Sequence, residues 1–238
     1  VFPRAATRPM IQPRAARARL KQRLGRLAAH LLLLVSIGII AFPVYYVFVL
    51  STQSMEEVVV RPTILRPSTH LVANYITAWS QAGMGRKLLN SLVVAITVAV
   101  GKIVISLLSA FAIVYFRFAL RKVVFWLIFI TLMLPVEVRI VATYQVVSDL
   151  GWLNSYVGLT VPLMASATAT FLFRQFLQTV PGELAEAAQL DGAGPMRFLW
   201  SILLPLSWTN IAALFVVLFV YGWNQYLWPL MITHTEEM

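Results

Sequence analysis

Few residues of this chain could do chemistry, and most of them are far apart. His30, His70 and His234 are scattered without metal-ligand spacing. There is no cysteine, which excludes disulfides and thiolate chemistry. Gly101-Lys102 is followed by Ile103, and no glycine sits five residues before Gly101, so the phosphate-loop pattern fails. No G-x-S-x-G nucleophile turn occurs either. No catalytic residue and no metal set is therefore expected, and with no ATP site any work done on the chain must be driven from outside it.

What remains is a small set of polar groups in apolar surroundings. Lys102 lies about 14 residues into a long apolar run, roughly 21 Å along a helix and near mid-bilayer depth. An unpaired lysine there costs at least ~2.5–3.5 kcal/mol, so it should face protein or a wet cavity. Two readings stand: an internal ion pair with Glu137, or a cation lining a path for an anion. Glu137 and Arg139, just after Pro135, share that ambiguity. Asn224, Gln225 and Tyr226 sit among Tyr221, Trp223 and Trp228. They read either as an interfacial aromatic belt or as a cavity wall offering hydrogen bonds to a polyol.

The elements that must position these groups are membrane helices. Of 238 residues, 60% are hydrophobic and 12% charged, against roughly 45–50% and about 25% in soluble domains. The apolar runs are Leu31–Leu50, Leu88–Phe116, Val123–Leu134 (extendable to about Ala142), Tyr156–Phe173 and Leu206–Met231. None alternates like a strand or fits a β-barrel wall, so the expected fold is all-α and polytopic, with five spans. Residues 1–30 form a basic arm, 51–87 a polar loop, 88–231 a core of four spans, and 232–238 a short end. Ala165-Ser166-Ala167, with Ser106 and Ala110, reads as close helix packing.

Charge gives the orientation. The net charge is +10, and eight basic residues precede the first run without a single acid: Arg4, Arg8, Arg14, Arg17, Arg19, Lys21, Arg23 and Arg26. No aromatic residues interleave to stack on bases, so lipid head groups and not nucleic acid are the expected partner of this arm. With the N-terminus cytoplasmic, lysines and arginines divide thirteen inside to five outside, as the positive-inside rule requires. Residues 174–205 then lie in the cytoplasm.

That stretch carries the most informative pattern. Glu186-Ala187-Ala188-Gln189-Leu190-Asp191-Gly192 is followed, nine residues later, by Ile202-Leu203-Leu204-Pro205. Pro181 suits a helix start, and Glu183 and Glu186 complement its positive end. Gly192 is placed to stop that helix, Gly194-Pro195 to begin a second, and Pro205 to hand over to the last span. The pattern E-A-A-x3-G-x9-I-x-L-P resembles the cytoplasmic loop of permease subunits of ATP-driven (ABC) importers of the binding-protein-dependent, maltose-type family. The resemblance runs from about Asn90-Ser91 to Met231.

The resemblance implies a type I importer fold in which Glu186, Ala187, Ala188, Asp191, Gly192, Ile202, Leu204 and Pro205 couple to an ATPase. It implies as partners a second permease, two ATPase subunits that use the ATP and magnesium, and an extracytoplasmic solute-binding protein. A bacterial inner-membrane location follows. The strings Leu132–Arg139, Pro162–Phe176 and Tyr221–Leu230 are similar to the branch of the family that imports sn-glycerol-3-phosphate. Permeases for neutral sugars are the alternative. The family has a sixth span where this chain stops at Met238, and a fragment or a misplaced gene end is expected. An ion-driven carrier would need midplane carboxylates, and a membrane enzyme clustered nucleophiles; the sequence has neither.

Overall fold

The computed structural model describes residues 13–60, 65–131 and 136–235, with side chains for 21–59, 65–131 and 138–235. Among them every regular element is helical. The chain divides into two compact units, Val1–Met84 and Gly85–Met238.

The first unit begins with α1 (Pro13–Ser51). Its stretch Lys21–Ser51 is long and apolar enough to cross a membrane. Leu31 is 67% exposed and Ile40 75%, so this surface is built for lipid as solvent. Two short helices follow, α2 (Met55–Val60) and α3 (Leu71–Ser80). Polar contacts knit this loop. Ser68 N–H donates to Thr52 Oγ1 (2.8 Å), and Asn74 Nδ2 donates to the carbonyls of Ser51 (3.0 Å) and Gln53 (2.8 Å). Ser54 and Glu57 form a capping box on α2. Ser54 N–H reaches the Glu57 carboxylate at 2.9 Å, and Glu57 N–H reaches Ser54 Oγ at 3.2 Å.

The second unit is organised by α4 (Met84–Tyr115), whose buried face includes Ala95, Ala99, Lys102, Ser106 and Ala110. Around it lie α5 (Arg121–Ile130), α6 (Val136–Asp149), α7 (Tyr156–Thr160), α8 (Ala167–Thr179), α9 (Gly182–Leu190), α10 (Pro195–Phe198), α11 (Leu204–Leu206), α12 (Trp208–Trp223) and α13 (Leu227–Ile232). A π-helical turn, Leu199–Leu203, joins α10 to α11. The small residues act as their spacing predicts. Ser106 Oγ donates to the Ser166 carbonyl (3.2 Å), and Ser166 Oγ caps α8 by accepting from Ala169 N–H (3.2 Å).

The apolar runs and the helices differ in continuity. Two helices among the described residues are long and apolar enough to span, and up to four if each bent pair is one span. The fourth run is bent by 47° between Tyr156–Leu163 and α8, and the helix from Pro195 to Leu206 meets α12 at 74°. The third run yields α5, of only 10 residues, and its continuation through Pro135 lies outside the described residues. Composition registers apolar length, whereas a cap such as Ser166, or the break at Ser207 after Pro205, changes the axis without changing hydropathy.

Two cores hold the unit. One gathers Leu107, Phe111, Phe173, Leu177, Ala188, Phe198 and Leu203. The other gathers Val94, Val98, Ile140, Val147, Leu159, Trp228 and Ile232. Trp228 is therefore a core residue and not part of an aromatic belt. It is 3% exposed, with its indole N–H on the Gly158 carbonyl at 3.1 Å. Gly158 is small of necessity, because a Cβ there would strike the Trp152 carbonyl.

Candidate functional site

The segment 181–206 folds into the helix hairpin its residues dictate. Pro181 precedes α9, Glu183 lies in its first turn and Asp191 is its C-cap. Gly192 adopts φ +72°, the left-handed conformation that glycine takes without penalty. Gly192 N–H donates to the Gln189 carbonyl (3.0 Å) and Ala193 N–H to the Ala188 carbonyl (2.8 Å). Those two bonds make a Schellman end, satisfying carbonyls that would otherwise be orphaned. Gly194 and Pro195 then open α10.

The hairpin is anchored on one side and free on the other. Ala188 is 4% exposed and joins the core with Phe198 and Leu203. The Phe198 ring meets the Tyr115 ring edge-on at 5.3 Å, which ties the hairpin to the end of α4. Ile202 and Leu204 are half-buried, and Pro205 is exposed. Glu186, Ala187, Asp191 and Gly192 are exposed, and Leu190 stands 89% exposed at the tip. Leu190 was not among the expected site residues, although an apolar residue one place before a helix-ending acid was visible.

The second candidate region is built around Lys102. Its side chain is 6% exposed, and its ammonium lies 3.9 Å from the centroid of the Tyr221 ring. The negative face of an aromatic ring is an electrostatic partner for a desolvated cation. Tyr221 reaches Lys102 because α12 and α4 touch closely next door. At Gly222 a Cβ would sit 3.2 Å from Ala95 Cα. The Glu137 side chain lies outside the described residues, so the expected ion pair has no geometry here.

The remaining expected residues spread along the same part of the unit. Arg139 is exposed on α6. Asn224 ends α12, and Gln225 Nε2 donates to the Tyr221 carbonyl at 3.3 Å. Tyr226 is 74% exposed. Asn90, at the start of the second apolar run, accepts from the Tyr156 hydroxyl at 2.6 Å. No cluster of three or more potential metal ligands occurs among the described residues.

Comparison with known proteins fits this arrangement. The chain is 59% identical over 225 residues to the sn-glycerol-3-phosphate transport system permease protein UgpE of Rhizobium meliloti (strain 1021), covering 92% of the chain and 80% of that protein. It is 57% identical over 210 residues to the protein of the same name from Escherichia coli O1:K1 / APEC, covering 86% and 75%. The fold is similar to that of a bacterial ABC transporter involved in the import of the acidic polysaccharide alginate. The TM-score is 0.78 at 19% identity, over 97% of this chain and 79% of that one. Residues 102–236, more than half the chain, match the family described as binding-protein-dependent transport system inner membrane component. The chain is a membrane transport subunit, a permease, and belongs to that family.

Proposed function

We propose that this permease carries sn-glycerol-3-phosphate or related glycerophosphodiesters inward across the bacterial inner membrane, with its N-terminus and hairpin in the cytoplasm. The observation that carries the substrate is the 59% identity, over 92% of the chain, to a protein named for that solute. A buried lysine in the second apolar run suits a phosphate monoester. A cation in low-dielectric surroundings attracts an anion more strongly than it would in water. The working assembly adds a second permease, two ATPase subunits that hydrolyse ATP with magnesium, and an extracytoplasmic solute-binding protein.

The mechanism follows from how the hairpin is joined to the core. The exposed face of α9, with Glu186, Ala187 and Leu190, enters a cleft of an ATPase subunit. Closure of the ATPases displaces the hairpin, and α10 with the π-helical turn transmits this to α12 through the bend at Ser207. At the far end of α12, Tyr221 shifts relative to Lys102 and alters the surroundings of the bound solute. ATP chemistry stays in the partner, and this chain supplies the lever and the path.

The test is uptake in a host stripped of its own importers and supplied with all subunits. Labelled sn-glycerol-3-phosphate should accumulate in an ATP-dependent way and a neutral disaccharide should not. Uptake of the disaccharide alone would overturn the substrate and leave a sugar permease. The coupling contact is tested separately. The chain has no native cysteine, so Leu190→Cys provides a single thiol for cross-linking to an ATPase carrying one cysteine in its cleft. Absence of cross-linking in an actively transporting complex would remove the hairpin from that role.

A further inference from the structure

A cavity of about 430 Å³ opens beside the hairpin end of the second unit, lined by Arg121, Lys122, Phe125, Trp126, Arg174 and Gln178 among others. It belongs neither to the hairpin's exposed face nor to the Lys102 region. Arg121 and Lys122 come from the start of α5, and Arg174 from within α8. The guanidinium of Arg174 lies over the Phe125 ring at 4.2 Å, and its Nη1 donates to Gln178 Oε1 at 3.3 Å. Its Nε is buried without an acceptor. Among the described residues no carboxylate pairs with any of these three cations within 4.0 Å.

This placement works against the protein's own electrostatics. The first turn of a helix favours negative charge, yet α5 opens with two cations and has no acid in that turn. Bringing Arg174 to the same cavity adds a third like charge. Topological charges alone would spread apart into solvent. Here one is held over an aromatic ring, and all three converge on one space. An anion with several acceptor oxygens would relieve the repulsion, and arginine's fork suits phosphate.

The surface next to the cavity indicates what else such an anion carries. Val123 (52% exposed), Trp126 (57%), Leu127 (60%) and Ile130 (51%) make an apolar stripe along α5, with the i, i+3, i+4, i+7 spacing of one helix face. The stripe begins beside the cations and runs away from them along the helix. A phosphate in the cavity and an acyl chain on the stripe would together cover both. We propose that Arg121, Lys122 and Arg174 seat the phosphate of an anionic phospholipid, whose acyl chain lies along Val123–Ile130. The choice of leaflet rests on the coupling role proposed for the hairpin. Tyr115, which meets Phe198 edge-on, donates to the Leu177 carbonyl (3.5 Å), so the cavity and the hairpin share one end of the unit.

The test uses the assembled transporter in nanodiscs of phosphatidylcholine with increasing phosphatidylglycerol. Native mass spectrometry counts retained lipids, and ATPase activity is followed against the phosphatidylglycerol fraction. Arg174→Gln and the pair Arg121→Gln/Lys122→Gln should each lose one retained phosphatidylglycerol per permease. Each removed charge should weaken retention about fivefold. Arg117→Gln, in the same basic link but outside this cavity, should retain it, and Arg174→Lys should retain it weakly. If Arg174→Gln does not assemble, the α5 pair still decides. Unchanged retention in the α5 pair overturns the proposal. So does loss of the retained phosphatidylglycerol when inorganic phosphate is added, which would make this a soluble-anion site. Loss of ATPase co-purification with lipid retention intact would make it a protein contact and overturn the proposal as well. Lipid counting does not depend on the hairpin reading, and Leu190→Cys cross-linking tests that reading independently.

Discussion

The Lys102 ammonium lies 3.9 Å from the centroid of the Tyr221 ring, and this contact joins the buried lysine of α4 to α12. A desolvated cation–π contact is worth about 2 kcal/mol or more, enough to hold the lysine but not to prevent its engaging a phosphate. Lys102→Met should reduce uptake of the phosphorylated solute far more than uptake of any neutral polyol. Tyr221→Phe should keep most activity, and Tyr221→Leu should lose several-fold. Equal losses for charged and neutral solutes, matched by protein level and restored by Lys102→Met/Glu137→Gln, would reduce Lys102 to internal charge balance.

Gly192 gives a test of the hairpin that separates backbone strain from crowding. Nothing lies within 4 Å of a Cβ added there, so a substitution meets no clash. Its φ of +72° still costs an L-residue roughly 1–2 kcal/mol. Gly192→Asn should be nearly normal, Gly192→Ala weaker, and Gly192→Val should insert but hydrolyse ATP without uptake. Measuring uptake and ATP hydrolysis in reconstituted vesicles gives the ratio. A normal ratio for the valine variant would show that the Schellman turn is not needed for coupling.

What was legible in the sequence divides by physical range. The hairpin was legible because its signals are local: Pro181, Glu183, Gly192 and Gly194-Pro195 act within a few residues of where they stand. Burial of Lys102 was legible from its depth in an apolar run, but its aromatic neighbour was not, because Tyr221 lies far along the chain and no spacing rule links them. The bend at 164–166 was hidden for the reason already given, that hydropathy has no direction, whereas the break at Ser207 was signalled locally by Pro205. Around Trp228 the sequence leaves an aromatic belt and a cavity wall both open, because the Gly158 carbonyl that receives its indole N–H is supplied only by the fold.

The polar loop of the first unit should respond to acid through Glu57. The Ser54 backbone N–H, aided by the Ser68 hydroxyl and by the charge of His70, holds this carboxyl below its ordinary value against the opposing effect of desolvation. A lowered folded-state value means the box stabilises the loop fully above the unfolded-state value. That contribution is lost as pH falls through the lowered one. Amide exchange across residues 52–80 should therefore quicken below the ordinary carboxylate range in the native protein. Glu57→Gln should exchange faster at neutral pH and show a flatter acid response. An acid response unchanged in that variant would assign it elsewhere.

Gly222 sets the distance between α12 and α4, and with it the reach of Tyr221 to Lys102. A Cβ at this position would meet Ala95 Cα at 3.2 Å and the Ala95 carbonyl oxygen at 3.4 Å, and the Ala95 methyl only at 3.6 Å. The tightest contacts are with backbone, which cannot rotate away as a side chain would. Gly222→Val should thus force the helices apart, with the ~1–3 kcal/mol cost usual for overpacking. Because backbone sets the limit, Ala95→Gly should fail to rescue Gly222→Val, although it removes the nearest side-chain atom. The thermal midpoint of the purified complex should fall for Gly222→Val and stay low in the double variant. Uptake should fall further than stability alone accounts for, since the shift also withdraws Tyr221 from Lys102. Full rescue by Ala95→Gly would show instead that the contact is between side chains and that α4 and α12 can slide.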